Sequence, residues 1–215
     1  KLSGTIEYFK RKSKDLLFTM PMAPSTGFGG IDRNIGDVEN YGIEFTLNYV
    51  PFSSKDFTWT IDLNGTSYEN KITKLPQDEM NSGYFKWREG ESRFNFWGIE
   101  YAGVNPENGN DQYWMVVDKE DGSTERVKTE DYNAVSSDKH KKYLGDALPT
   151  LFGGLTNSFS YKGIDFSFMI YYSLGGKLYD GDYAQAMAYR QGYSLHPDML
   201  EAWTPENKTA KLPRF

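Results

Sequence analysis

The feature that most constrains the fold is an alternation of apolar and polar residues with a period of two, which is typical of half-buried β-strands. It runs through Tyr41–Val50 and Phe57–Asn64, and again through Leu151–Tyr161 and Ile164–Ser173. Only the short sequences "PFSSKD" and "YKG" separate the two members of each pair. Gly163 in the second of these suits a tight turn because glycine readily adopts a positive φ. Each pair is therefore predicted to form an antiparallel hairpin.

Each predicted strand has one apolar and one polar face, because successive side chains point to opposite sides of a sheet. The apolar face of the first pair comprises Ile43, Phe45, Leu47, Ile61 and Leu63. The polar face comprises Glu44, Thr46, Asn48, Thr58, Thr60, Asp62 and Asn64. Two arrangements fit such strands: a soluble sandwich, in which the apolar face packs on a second sheet, and a membrane barrel, in which it meets lipid.

Three features favour the barrel. The alternating segments are about 10 residues long, which is the length that a tilted strand needs to cross a bilayer. The connections are asymmetric, with short turns at one end and a long polar excursion over 71–143 at the other. Aromatic residues also gather near the short turns, as in the interfacial girdles of membrane barrels. They are Tyr49, Phe52, Phe57, Trp59, Phe159 and Tyr161.

Composition and motifs exclude several classes of function. The chain has 215 residues, a net charge of −6 and no cysteine. This charge is unlike that of a polybasic nucleic-acid-binding protein, and the lack of cysteine excludes disulfides, thiolate metal sites and a cysteine nucleophile. His140 and His196 lie far apart in the sequence, without partner residues at ligand spacing. No catalytic residue, metal site or cofactor is therefore predicted, and no nucleic-acid partner.

The excursion over 71–143 carries the candidate binding residues. Within it, "QYWMVV" and "STERV" flank "DKEDG" and predict a small hairpin. Exposed aromatic rings can stack on the apolar faces of sugars, which makes five residues candidates for ligand contacts. They are Trp87, Trp97, Tyr101, Tyr113 and Trp114. The alternative is that these rings form the core of the loop itself or pack against a partner protein.

Several stretches of the sequence resemble one protein family. They are "NIGDVENYGIEFTLNYVP", "YAGVNPENG", "YLGDALPTLFGGLTNSFSYKGIDFSF", "YYSLGGKLYD" and "EAWTPENKTAKLPRF". Their order and spacing resemble the C-terminal part of SusC/RagA-type TonB-linked (TonB-dependent) transporters. The resemblance implies a multi-pass barrel of the roughly 22-stranded, plugged class in the bacterial outer membrane.

The resemblance also implies a function and a set of partners. Transporters of this type import oligosaccharides or peptides into the periplasm, and a SusD-like surface lipoprotein covers the barrel as a lid. TonB supplies the energy through an N-terminal plug region, which has no counterpart in this sequence. We therefore expect the chain to be a fragment of a longer transporter, with its apolar faces toward outer-membrane lipid and its polar faces toward the lumen.

The expected fold class is all-β: an antiparallel transmembrane β-barrel segment of about five long strands. Residues 1–215 would belong to one C-terminal barrel domain, in which 71–143 forms a long extracellular loop. The segment 177–205 is expected to be a second loop with short helices. At least one of the five aromatic candidates in 71–143 is then expected to contact either the substrate or the lid.

Two alternatives stay open at this point. A soluble, aromatic-rich β-sandwich that binds carbohydrate would bury the five apolar-face residues between two sheets of the same chain. A glycoside hydrolase module would need two carboxylates that face each other across a cleft at catalytic separation.

Overall fold

A computed structural model describes residues 1–188 and 190–214. The chain divides into two compact units. The first, called the sheet unit, comprises Lys1–Phe96 and Gly145–Lys177. The second, called the loop unit, comprises Trp97–Leu144 and Leu178–Phe215. The chain passes between the two units three times: after Phe96, after Leu144 and after Lys177.

The described residues form twelve strands and only short helices. The strands are β1 (Leu2–Pro21), β2 (Gly30–Ser53), β3 (Phe57–Lys74), β4 (Glu79–Ser82), β5 (Phe85–Arg88), β6 (Asn95–Ile99), β7 (Tyr101–Val104), β8 (Asp111–Asp118), β9 (Thr124–Thr129), β10 (Lys141–Asp146), β11 (Leu151–Tyr161) and β12 (Ile164–Leu174). One α-helix, α1, covers Gly181–Met187, and 3-10 turns cover Pro24–Thr26, Asn133–Val135, Asp138–His140 and Pro197–Glu201. None of the helices in the described part of the chain has the length and apolar character needed to span a membrane.

The sheet unit is built on a five-stranded antiparallel sheet in the order β1-β2-β3-β11-β12. The four strands predicted from the alternation are all present, and so are both predicted hairpins. β3 pairs with β11, so that Leu63 lies opposite Leu155 although the whole excursion separates them in sequence. The prediction of an all-β, antiparallel fold with about five long strands is confirmed.

The first two strands are much longer than the alternation predicted. Its proline and glycine residues predict that "TMPMAPSTGFGGIDRNIGD" forms one loop, but β1 continues to Pro21 and β2 already begins at Gly30. The loop prediction is therefore wrong for both of its ends. Cross-strand pairing extends the strands here, and the Thr19 hydroxyl donates to Asp32 Oδ1 at 2.6 Å within the paired region.

The turn between β11 and β12 consists of two residues with positive φ. Gly163 has a φ of 85°, as predicted, and Lys162 before it has a φ of 47°. Positive φ at both central residues defines the turn type whose twist matches that of the flanking strands. The predicted tight hairpin is confirmed, with a lysine in a conformation that favours glycine.

In the sheet unit, buried hydrophobic side chains are few, and they lie at the end of the sheet that is remote from the short turns. Val38, Ile72 and Leu75 form a small core, against which the side chains of Met80 and Trp87 pack. The apolar faces of the long strands stay accessible instead: Ile43 is 49% exposed and Leu47 is 38% exposed. This exposure contradicts the sandwich alternative, which required these residues to be buried between two sheets.

The loop unit contains a three-stranded sheet in the order β7-β8-β9. The pairing of β8 with β9 follows the hairpin predicted around "DKEDG". After α1 and the Pro197–Glu201 turn, the terminal segment folds back, and Ala202 forms a parallel bridge with Leu212. By its sequence alone, "WTPENKTAKLPRF" predicts an extended tail, and the bridge corrects this expectation.

Candidate functional site

The register of the sheet unit assigns every predicted face residue to one of two sides. Thr46 lies opposite Thr5 on β1 and opposite Asn64 on β3. Two residues further along β2, on the same side of the sheet, Asn48 lies opposite Asp62. Leu47 lies opposite Leu63 in the row between them, on the other side of the sheet. The seven polar residues therefore share one face, called the polar face, and the five apolar residues share the other, called the apolar face.

The polar face is held together by hydrogen bonds between side chains. The hydroxyls of Thr5 and Thr46 are 2.7 Å apart, and Asn48 Nδ2 donates to Asp62 Oδ1 at 2.6 Å. Asn64 Oδ1 accepts from the backbone N–H of Gly154 at 3.1 Å. Such a surface suits contact with water or with a polar ligand, because its groups retain further donors and acceptors.

Aromatic rings cover the apolar face near the short turns. Trp59 stacks on Phe159 with ring centroids 5.7 Å apart, and Phe57 approaches the same ring from the neighbouring position at 6.4 Å. The indole N–H of Trp59 donates to Asn157 Oδ1 at 3.1 Å, which satisfies an amide on an otherwise apolar surface. The predicted aromatic cluster at this end of the strands is thus present as a contiguous surface.

Charged and polar groups limit the apolar face at its other end. Lys10 Nζ lies 2.8 Å from Glu39 Oε1, and the Tyr41 hydroxyl donates to Glu69 Oε2 at 2.5 Å. Along β2, the apolar surface therefore extends from Tyr41 to the aromatic ring of Phe52. This stretch contains 12 residues, slightly more than the about 9–11 that a tilted strand uses to cross a bilayer.

The five aromatic candidates of the excursion do not form one site. Trp87 belongs to the small core of the sheet unit, and its indole N–H donates to the carbonyl oxygen of Arg93 at 2.9 Å. In the loop unit, Trp97 packs edge-on against Tyr143 with centroids 4.9 Å apart. The ring of Trp114 faces the guanidinium of Arg126 at 4.8 Å.

Tyr101 and Tyr113 come together in a cavity. It has a volume of about 970 Å³ and lies within the loop unit. Its other lining residues are Tyr179, Tyr183, Ala184, Met187, Met199, Leu212, Pro213 and Arg214. Sequence analysis missed these residues, although the spacing of Tyr183 and Met187 in the predicted helix already indicated a shared helix face.

Two tyrosines of this cavity, Tyr101 and Tyr183, act as neutral hydrogen-bond donors. The Tyr101 hydroxyl donates to Asp111 Oδ1 at 3.0 Å, and the Tyr183 hydroxyl donates to Asp198 Oδ2 at 2.9 Å. Burial, followed by the bond to Asp111, raises the pKa of Tyr101, and burial also raises the pKa of Tyr113. The cavity therefore presents aromatic and apolar surface with phenol groups at its edge.

A carboxylate organises the loop that follows β7. Glu130 accepts hydrogen bonds from the side-chain amides of Asn110, Asn105 and Asn108. These bonds, that of Asn110 first, hold the pKa of the Glu130 carboxyl below its usual value. The same loop binds the terminal segment, because the Trp203 indole N–H donates to the carbonyl oxygen of Pro106 at 3.0 Å.

Known proteins similar to this chain were found at the level of sequence and of structure. No protein-family model matches the chain. It is 30% identical to TonB-dependent receptor P3 of Formosa agariphila, over 100% of this chain and 22% of that protein. It is 33% identical to the TonB-dependent receptor SusC of Bacteroides thetaiotaomicron, over 83% of this chain and 18% of that protein.

The fold is similar to part of a solved transporter. The structure of the RagAB peptide transporter matches 100% of this chain and 24% of the solved chain, with a TM-score of 0.80 and 24% identity. The chain thus spans about a quarter of the length of the solved protein and about a fifth of the length of each of the two TonB-dependent receptors. These findings confirm the resemblance to SusC/RagA-type TonB-dependent receptors, and the match in fold extends over the whole chain.

Proposed function

We propose that this chain, a relative of the SusC-type TonB-dependent receptors, forms part of the barrel wall of an outer-membrane importer for oligomeric nutrients. The observation that carries the proposal is the division of the five-stranded sheet into an exposed apolar face and a polar face. The apolar face is bounded by aromatic rings at one end and by ion pairs at the other, over the distance that a bilayer requires.

The apolar face meets lipid, and the polar face lines the lumen. Ile43, Phe45 and Leu47 contact the acyl chains, because their exposure in water would leave a large apolar patch without a partner. The polar face, from Glu44 to Asn64, contacts water, the plug or the substrate as it passes. The mechanism is transport and not catalysis, with glycans or peptides as the imported class.

The loop unit lies outside the membrane. The excursion over 71–143 and the helical segment 177–205 supply its aromatic residues, and the cavity of Tyr101 and Tyr113 contacts either the substrate or a SusD-like lipoprotein lid. TonB acts on the N-terminal region of the whole transporter and supplies the energy for import. Together, residues 1–215 contribute a continuous part of the C-terminal barrel domain.

A labelling experiment on the full-length protein tests the orientation of the two faces. Leu47 and Thr46 are adjacent in sequence and lie on opposite faces, so they form a matched pair. A fluorescent label on a cysteine at position 47 should be quenched by brominated lipid in proteoliposomes, and one at position 46 by aqueous iodide. Equal quenching at both positions would contradict a lipid-facing wall.

A genetic experiment tests the activity. A deletion strain should lose growth on one class of glycan or peptide and regain it on complementation. Tyr101→Ala and Trp114→Ala in the complementing copy then test the loop unit separately. We expect at least one of them to weaken uptake or lid binding, and unchanged values for both would remove these residues from the proposal.

A further inference from the structure

The polar face of the sheet contains an open pocket of about 640 Å³. It lies across β1, β2, β3 and β11, at the end of the polar face remote from the short turns. Its lining combines two carboxylates, one guanidinium and three aromatic rings: Glu7, Glu44, Arg11, Phe9, Tyr68 and Phe152. Of these six, sequence analysis singled out only Glu44.

The aromatic part of the pocket depends on a glycine. Phe9 lies opposite Gly42, and Gly42 lies opposite Tyr68, so the three residues form one row across the sheet. A Cβ atom at Gly42 would lie 2.6 Å from Tyr68 Cβ and 2.2 Å from the carbonyl oxygen of Ser67. The missing side chain allows β3, with Tyr68, to approach β2 closely at this row. Tyr68 also packs edge-on against Phe152 with centroids 6.1 Å apart.

The carboxylates of the pocket repel each other. Glu7 and Glu44 are direct partners in the register of β1 and β2. Like charges in directly opposite positions destabilise a sheet unless a cation lies between them. Among the described residues, neither carboxylate forms an ion pair. On the other face of the same strands, by contrast, Glu39 pairs with Lys10 at 2.8 Å.

We infer that this pocket binds the ammonium group of a peptide, either an amino terminus or a lysine side chain. The two carboxylates neutralise the cation, and the neighbouring faces of Phe9 and Tyr68 add cation–π attraction. A neutral glycan would leave the carboxylate pair without a counter-charge. The inference rests on the proposed function, which exposes the polar face to the imported oligomer.

Arg11 extends the recognition along the strand. It follows Glu7 by four positions on the same face of β1 and forms no ion pair within the described part of the chain. Four residues of extended chain span about 14 Å. An extended peptide has the same rise, so the pocket suits a peptide that carries a carboxylate about four residues from its cationic group.

The test uses the full-length transporter, purified in detergent, and two peptides of equal length that differ at one position. One carries lysine there and the other carries norleucine, which has a similar shape without the charge. Isothermal titration calorimetry should show that the lysine peptide binds at least about tenfold more tightly, since a charge-assisted contact is worth about 1.5–3 kcal/mol. The double variant Glu7→Gln/Glu44→Gln should abolish that preference and leave binding of the norleucine peptide unchanged.

Two further variants keep the test decisive. Glu39→Gln, on the opposite face, removes one carboxylate from the same sheet and should preserve the preference. Phe9→Leu keeps the apolar volume and should reduce the preference, which gives a readout even where the double variant does not fold. The inference is overturned if the wild type binds both peptides equally, or if the carboxylate variants weaken both peptides equally.

The outcomes are distinguishable from those of the proposed function. If the protein is not a transporter, the deletion strain should import the oligomer normally. This result does not depend on which peptide the pocket prefers. A transporter that imports an oligomer without any preference for the lysine peptide would retain the proposed function and lose only the pocket.

Discussion

The two units of this protein obtain their order by different means. In the sheet unit, long paired strands order the chain, and β2 alone has 24 residues. In the loop unit, short strands are supplemented by side-chain bonds to the backbone, such as that from Trp203 to Pro106, and by clustered rings such as Tyr113 and Tyr132, 5.4 Å apart.

If the roles proposed above are correct, the difference shows how a barrel wall and a binding region place different demands on sequence. A wall needs a repeated pattern, because each face meets one solvent over its whole length. A binding region needs particular groups at particular points, because its backbone groups are not satisfied by long ladders. Substitutions in the sheet unit should therefore act through the face they change, and those in the loop unit through the bond they remove.

The largest effect is expected from a charge on the apolar face. Leu47→Arg lies midway between Tyr41 and Phe52 and should lower the free energy of unfolding by about 2–4 kcal/mol in phospholipid vesicles. Thr46→Arg, on the polar face, should cost far less, since the guanidinium reaches water. Denaturant titration of the full-length barrel measures both, and an equal cost would remove the distinction between the faces.

Overpacking at the glycine between two rings should come next. Gly42→Ala places a methyl group within 2.2 Å of the Ser67 carbonyl oxygen, so the strands must shift, at a cost of about 1–3 kcal/mol. Gly29→Ala is the matched control, because nothing lies within 4 Å of its Cβ position. Thermal unfolding of the two variants should differ clearly, and similar midpoints would show that the sheet accommodates the methyl group.

A smaller effect is expected from the hydrogen bond on the apolar face. Trp59→Phe removes the donor to Asn157 and should cost about 1 kcal/mol in the free energy of unfolding, since the amide loses its partner. Replacing both groups, in Trp59→Phe/Asn157→Leu, should recover most of the loss. If the double variant is instead less stable than the single one, the amide has a role other than pairing with Trp59.

The smallest effect is a local response of the loop unit to acid. The pKa of Glu130 is lower in the folded protein than the ordinary value of 4.5, so its bonds contribute fully above that pH. The contribution is lost as the pH falls through the folded-state value. Hydrogen-exchange protection of the loop Asn105–Asn110, corrected for intrinsic rates, should fall in acid, while Glu130→Gln should show little of this pH dependence. An identical pH profile in the variant would assign the response to another group.

Much of the sheet unit was predictable because its signal is local. The alternation over Tyr41–Val50 and Phe57–Asn64 indicated strands, faces and turns correctly, since all three depend on neighbouring residues. The lengths of β1 and β2 were not predictable in the same way. Gly30–Asp37 lacks a clear alternation and becomes strand only because β1 pairs with it.

The binding surfaces were much less predictable. Five aromatic residues of the excursion were candidates as a group, and of these Tyr101 and Tyr113 share a cavity. Tyr183 completes that cavity from a segment far along the chain. The pocket of Phe9, Glu7 and Glu44 likewise requires knowledge of which residues face each other across strands.

The sequence by itself determined the strand type, the two faces and the length of about 10 residues of the alternating segments. These properties follow from side-chain chemistry at a period of two, which each segment carries independently of the rest. Only the tertiary structure decided that β3 lies beside β11, that Glu7 opposes Glu44, and that Tyr101 meets Tyr183. These neighbours depend on the register between strands and on distant segments that return to the same place. A slip of one residue in the register would change which side chains face each other.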